Sequence, residues 1–175
     1  NMGPDWNEIS GDMWIDNPTG LDGMGYCQSQ GYMLHATAFD AYEGSTQSID
    51  FYSPGAILTY QALIAGAGTD FIFVKLQDNN SDGFMDRIFF YKNNNGGSWG
   101  APQYYFDLAV PTPSGRMTLS FDNTGDAATL EIDRDFDGII DEGYTATGIL
   151  SAGLMLGQGF GIATWNNQNS YDHWE

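Results

Sequence analysis

From residue 48 onward, short apolar runs are cut off by turn residues at intervals of about ten residues. The run 48–52 stops at Ser53-Pro54-Gly55, the run 57–65 stops at Gly66-Ala67-Gly68, and 70–77 leads into an acidic segment. The run 87–92 ends in the polar tip Asn93-Asn94-Asn95-Gly96-Gly97, and 103–110 is closed by Pro111 and Pro113. Runs 116–121 and 127–132 flank Asp122-Asn123-Thr124-Gly125-Asp126, a hairpin turn. Runs 144–148, 153–156 and 159–166 complete the series. Val, Ile, Phe, Tyr and Thr crowd these runs, which suits a pleated surface, and helical periodicity nowhere exceeds alternation. The pattern predicts an all-β fold, an antiparallel β-sandwich. Residues 1–35 are rich in Gly, Asp and Trp. Two short strands are expected there, at Met13-Trp14-Ile15 and at Tyr32-Met33-Leu34-His35-Ala36, around a loop holding Pro18, Gly20, Gly23 and Gly25. With 175 residues and 42% hydrophobic content, one domain spanning 1–175 can build a full core.

Two runs break the alternation expected of a strand with one wet face. Phe71-Ile72-Phe73-Val74-Lys75-Leu76 and Ile88-Phe89-Phe90-Tyr91 are apolar on both faces. Either both faces are covered, or the outer one is a binding surface.

The acidic segments carry the clearest chemistry. In Asp133-Arg134-Asp135-Phe136-Asp137-Gly138-Ile139-Ile140-Asp141-Glu142, carboxylates fall at positions one, three, five and nine, with glycine at six. A chain curling round a hard cation needs oxygens on alternate residues and a glycine at the sharp bend. The ligands would be Asp133, Asp135, Asp137, the Ile139 carbonyl, and Asp141 directly or through water. Asp78-Asn79-Asn80-Ser81-Asp82-Gly83-Phe84-Met85-Asp86 repeats the pattern, with Asp78, Asn80, Asp82, the Phe84 carbonyl and Asp86 as ligands. Position twelve, usually a bidentate Glu, is Tyr144 in one loop and Phe89 in the other. Glu142 is the nearest substitute in the first case. A missing clamp predicts calcium affinity of roughly 10⁻⁴ to 10⁻³ M, which suits extracellular calcium. The loops resemble those of dockerins and EF-hands, although strands rather than helices flank them.

Charge agrees with cations as partners. Five Lys and Arg against 23 Asp and Glu give a formal charge of −18, which argues against nucleic acid and against anionic membranes. Nine of the 23 acids lie in 78–86 and 131–142, where divalent cations would relieve the densest repulsion. Cys27 is the only cysteine, so no intrachain disulfide forms, and calcium would supply the stapling instead. No run approaches the ~20 apolar residues of a membrane span. No signal peptide is visible, and a chain starting at Asn1 is expected of a processed or excised protein. An extracellular or cell-surface location follows as an expectation.

A family resemblance enters at the C-terminal third. Thr129-Leu130-Glu131-Ile132-Asp133, then Gly159-Phe160-Gly161-Ile162-Ala163, then Tyr171-Asp172-His173-Trp174 resemble the closing strands of concanavalin A-like lectin and glucanase jelly rolls, also called laminin G-like. Trp14 resembles the early Trp of such domains. The resemblance implies a jelly-roll sandwich and, often, glycan binding or a structural calcium, without implying one activity. It also raises a third calcium joining Asp172 to an N-terminal loop, against the plainer reading of an ordinary exposed Asp.

Catalysis is not expected. Glu131-Ile132-Asp133 invites comparison with laminarinase-like glycosidases, whose site resembles Glu-x-Asp-x-x-Glu. Here Phe136 stands where the second Glu would be, and a calcium-bound Asp133 stays ionised and cannot act as the acid. His35 and His173 lack zinc spacing, and no nucleophile motif is present. Trp99, Tyr104, Tyr105, Trp165, Tyr171 and Trp174 are candidates for stacking on sugars, with Asn166, Asn167, Gln168 and Asn169 beside Trp165 to hydrogen-bond hydroxyls. Filling the sandwich is the plainer use of such rings. Two functions stay open: a non-catalytic glycan-binding or adhesion module, and a self-assembling structural subunit of a filament, tube or surface layer, joined to copies of itself. An end at Glu175 suits either a module cut from a longer chain or a subunit completed by a neighbour.

Overall fold

The computed structural model describes residues 6–10, 13–16, 24–27, 31–35, 44–53, 55, 59–67, 70–93, 101–124, 126–148, 159–165 and 170–172. Within them the chain forms β1 (Trp6–Ser10), β2 (Met13–Asp16), β3 (Met24–Cys27), β4 (Gly31–His35), β5 (Thr46–Tyr52), β6 (Thr59–Ala67) and β7 (Asp70–Asp78). There follow β8 (Met85–Asn93), β9 (Tyr104–Thr112), β10 (Ser114–Phe121), β11 (Ala127–Asp133), β12 (Glu142–Thr147), β13 (Gly159–Trp165) and β14 (Ser170–Asp172). The first sheet runs β1-β4-β13-β6-β7-β8-β9 and the second β12-β11-β10-β5-β14-β3-β2, every pairing antiparallel. Among the described residues no helix is long and apolar enough to cross a membrane.

The core lies between the sheets, and period-two alternation builds it. In β10, Met117, Leu119 and Phe121 point inward, while Arg116, Thr118 and Ser120 point outward and stay half-exposed. Ala128, Leu130 and Ile132 of β11 do the same beside them. Facing them are Leu63 and Ala65 of β6, Ile72, Val74 and Leu76 of β7, and Ile88 and Phe90 of β8. Each large side chain so buried contributes about 1.5–3 kcal/mol. Two buried amides tie the layers: Gln47 Nε2 donates to the Ile64 carbonyl at 2.8 Å, and Gln61 Nε2 to the Tyr52 carbonyl at 2.9 Å.

The strands read from punctuation form from residue 46 onward, with shifted ends. The β10–β11 hairpin closes where expected: Asp122 Oδ1 accepts from the N–H groups of Thr124, Asp126 and Ala127. The Thr124 hydroxyl, with these donors, holds the Asp122 carboxyl below its usual range. One stop signal fails. Pro111 was expected to end its strand, yet β9 continues to Thr112, because β9 is an edge strand and an edge tolerates a residue without a donor. Strands β1 and β3 were not expected at all, and β14 was legible only through the family resemblance at Tyr171-Asp172-His173-Trp174. They are short and irregular in composition, and their pairing with β4, with β2, and with β5 and β3 defines them. The expected strand at 153–156 lies outside the described residues.

The edges β9 and β12 belong to different sheets and are stitched together. Tyr104 Oη donates to the Thr147 carbonyl at 2.8 Å, Tyr144 Oη to the Asp107 carbonyl at 2.9 Å, and the Ala109 N–H to Glu142 Oε1 at 2.6 Å. Arg134 Nε donates to the Val110 carbonyl at 3.2 Å. Backbone groups that would otherwise offer a free edge are thereby occupied.

Candidate functional site

The two acidic segments fold into equivalent loops. One joins β7 to β8 and the other β11 to β12. In the first, the Gly83 N–H donates to Asp78 Oδ2 at 2.8 Å, the Phe84 N–H to Asp82 Oδ1 at 2.9 Å, and the Asn79 N–H to Asp86 Oδ1 at 3.0 Å. The second repeats each bond: Gly138 N–H to Asp133 Oδ2 at 2.9 Å, Ile139 N–H to Asp137 Oδ1 at 2.8 Å, Arg134 N–H to Asp141 Oδ2 at 2.8 Å. Positive φ also recurs, at position four (Ser81 64°, Phe136 61°) and at the glycine of position six (Gly83 91°, Gly138 83°). Left-handed backbone is costly outside glycine, so its recurrence at Ser81 and Phe136 marks a shared, over-determined curl.

Register places both loops at one end of the sandwich. Met85, just after the first loop, pairs with Thr112; Arg116, two residues past Ser114, pairs with Asp133 at the start of the second. Only Pro113 separates β9 from β10, so the loops flank this crossing between the sheets.

Asp133, Asp135 and Asp141 can each bring one oxygen within 4.8 Å of the others. Asp133 is 3% exposed, and its Oδ1 is buried with no hydrogen-bond partner. Burial pushes the Asp133 carboxyl up, but the surrounding N–H groups of Gly138, Phe136, Asp137 and Asp135 outweigh it and hold the group below its usual range. Asp135 is shifted the other way, by desolvation and by the charges of Asp137, Asp141 and Asp133. A fixed, ionised and unpartnered oxygen among carboxylates that repel one another fits a hard cation. In the first loop Asp78 is fully buried, and its Oδ1 accepts from the Ser81 and Asp82 N–H groups. Desolvation raises Asp86, opposed by the Asn79 N–H and reinforced by Asp78 and Asp82. Asn80 Nδ2 donates to Asp82 Oδ2 at 3.0 Å. Glu142 is committed elsewhere, to Arg134, Tyr144 Oη and the Ala109 N–H, and does not replace the missing twelfth ligand.

Of the rings nominated for sugar stacking, Tyr104 and Tyr105 stand on β9 of the first sheet, both exposed. Trp99 and Asn167 lie outside the described residues. Trp165 ends β13 opposite Tyr60 in the first sheet, whereas Tyr171 pairs with Gly25 and Phe51 in the second. Asp172 stands opposite Asp50, whose carboxylate makes a two-point pair with Arg116 at 2.6 and 3.2 Å. His173 lies outside the described residues.

The structure also exposes a feature hinted at by the two-faced strands and by Tyr105. Away from the core, the first sheet carries an aromatic ladder across β6 to β9. Tyr60 and Phe73 lie 5.4 Å apart, Phe73 and Tyr91 6.2 Å, Tyr91 and Phe89 6.1 Å, and Phe89 and Tyr105 6.3 Å. Toward β6 and β13 this face is buried, with Ala62, Ile64, Phe73 and Ala163 at most 1% exposed; toward β9 it opens, and Tyr105 is 61% exposed. Lys75 stands amid the rings. The sequence signal was a lysine inside an otherwise apolar strand.

No protein-family model matches the chain, and no curated protein matches it. Solved structures do. A carbohydrate binding module, CBM66 from Bacillus subtilis, superposes with TM-score 0.66 at 11% identity over 97% of this chain and 93% of that one. A Bacillus licheniformis beta-glucanase gives 0.59 at 10% identity over 99% and 92%. The exoplasmic/lumenal domain of VIP36, in a Ca2+/Man-bound form, gives 0.62 at 10% identity over 97% and 81%. With two antiparallel sheets in this order and neighbours of this kind, the chain has the concanavalin A-like jelly-roll fold.

Proposed function

We propose that this chain is a calcium-stapled, non-catalytic glycan-binding module of an extracellular or cell-surface protein, folding as one domain over residues 1–175. The observation that carries the calcium part is the buried, unpartnered Oδ1 of Asp133, on a carboxylate that comes within 4.8 Å of those of Asp135 and Asp141. Asp133, Asp135, Asp137, Asp141 and the Ile139 carbonyl would hold one ion. Asp78, Asn80, Asp82, Asp86 and the Phe84 carbonyl would hold the other. Bound calcium supplies charge neutralisation at two bends whose carboxylates otherwise repel.

Glycan binding is supported by fold neighbours named as a carbohydrate binding module and as lectins. The non-catalytic reading rests on this chain's own residues. Retaining glycoside hydrolysis needs one carboxyl kept protonated about 5–5.5 Å from its partner. Here Asp133 is held ionised by backbone donors, and Phe136 occupies the second acid's place. A glycan array probed with and without calcium tests the reading. Saccharide binding that weakens on chelation is expected, and no binding to any glycan would overturn it.

Self-assembly is the second reading. Val110, Phe136, Ile139 and Ile140 are exposed apolar side chains on and beside the second loop, which favours contacts between copies. Light scattering that rises on calcium addition, without glycan binding, would favour this reading over the first.

A further inference from the structure

We propose that the glycan platform is the outer face of the first sheet centred on Lys75, and that it takes a uronate-bearing polysaccharide, one sugar carboxylate docking on the Lys75 ammonium while a ring face stacks toward Tyr105. This rests on the glycan-binding reading and names its ligand class and its place.

The argument begins with what surrounds Lys75. Its Nζ lies 4.6 Å from the Phe89 ring centroid, 5.0 Å from Tyr60 and 5.3 Å from Tyr91. Its hydrogen bond goes to the neutral Gln77 Oε1, and among the described residues no carboxylate pairs with it. That is unusual in a chain with 23 acids and five basic residues. Arg87, Arg116 and Arg134 all have carboxylate partners. An ammonium half-withdrawn from water without a counter-ion is costly, and ring quadrupoles offset only part of that cost. An anion supplied from outside would complete the site.

The rest of the face selects the kind of anion. Beyond Lys75 the platform opens toward Phe89 and Tyr105, flat rings suited to the C–H faces of a sugar. At its margin Arg87 lies 5.4 Å from the Tyr105 ring and pairs with Asp107, a donor–acceptor couple for hydroxyls. A uronate chain carries one charge per ring and leaves ring faces free to stack. A densely sulfated chain would meet stronger repulsion from a protein of charge −18. That repulsion is screened beyond about 8 Å at physiological ionic strength, so the local cation decides.

Calcium enters through a short relay. Lys75 donates to Gln77 Oε1, and Gln77 Nε2 donates to Asn79 Oδ1 at 3.3 Å, inside the first acidic loop. Ordering that loop therefore fixes the arm carrying the ammonium.

The test uses the calcium-loaded full chain and three probes of equal length: oligogalacturonate, a neutral oligoglucan and a sulfated oligoglucan. Titration calorimetry is expected to find oligogalacturonate bound most tightly. Lys75→Met should weaken it about 10- to 100-fold, the range for losing a charge-assisted hydrogen bond. Lys75→Arg should stay within a few-fold of wild type. Tyr105→Ala, at an exposed position, provides a second variant and should weaken all binding on this face. Undiminished oligogalacturonate affinity in Lys75→Met, or preference for the sulfated probe, would overturn the proposal. Neutral-glycan binding indifferent to Lys75→Met would overturn it while leaving the glycan-binding reading intact. No binding to any probe, with an array equally blank, would remove both.

Discussion

Lys75 shows how one side chain can report on both stability and recognition. Burial pulls its pKa from 10.5 to about 8. The unfolded chain therefore holds this proton over a range where the folded chain has released it. Between about pH 8 and 10.5 the Lys75 contribution to stability rises with pH, because the cost of the half-buried charge disappears. Tyr91 faces the same group and opposes the trend, since desolvation raises its pKa and favours its protonated form in the fold. Tyr60, Gln77 and Phe89 also stand around the amine, and the Arg87 guanidinium lies 6.0 Å from the Phe89 ring. Comparing urea midpoints of wild type and Lys75→Met at pH 7.5 and pH 10 isolates the contribution of the amine. The wild type should gain on the variant at the higher pH; a constant difference would show that the amine is not desolvated. Uronate binding should fall over the same rise through about pH 8, because only the protonated amine attracts a carboxylate.

At the scale of elements, the second acidic loop depends on a strand that contributes no ligand to it. Gly115 in β10 has φ +156°, and a Cβ there would lie 2.6 Å from the Asp133 carbonyl oxygen and 3.1 Å from the Arg134 Cα. Both are backbone atoms at the mouth of the loop and cannot swing aside. Gly115→Ala is expected to destabilise the fold by about 2–3 kcal/mol, the usual scale of overpacking, and to weaken calcium at the second loop while sparing the first. Calcium titration of Gly115→Ala beside Asp133→Asn would check this; two unaltered sites in Gly115→Ala would refute the coupling. The stitched edges make a similar point. Glu142 caps the Ala109 N–H of β9 and pairs with Arg134, so Glu142→Ala frees an edge donor and leaves Arg134 with the Asp141 carboxylate and the Val110 carbonyl. A loss of about 1–3 kcal/mol follows, with a greater tendency to associate in sedimentation at high concentration.

For the whole molecule, calcium should act as a clamp at one end of the sandwich. With affinities of roughly 10⁻⁴ to 10⁻³ M, about 10 mM calcium stabilises by roughly 1.4–2.7 kcal/mol per loop. At about 2–4 °C per kcal/mol, chelation should lower the melting temperature by roughly 3–10 °C for each loop, and Asp133→Asn should remove one share. Equal melting curves in excess chelator and excess calcium would end the structural role. Much of this was written locally. Punctuation every ten or so residues fixed the strand class, and carboxylates at alternate positions before a glycine fixed the curl of both loops, because backbone N–H groups donating to carboxylates within nine residues close them. Strands β1 and β3 were illegible because their pairing partners, not their own composition, define them. The aromatic face was half-legible: two strands apolar on both sides announced that something unusual covered or used the outer surface. Which rings met, and that the Lys75 ammonium stood among them with no carboxylate partner among the described residues, was decided only when four strands aligned in register, since neighbours across a sheet are distant in sequence.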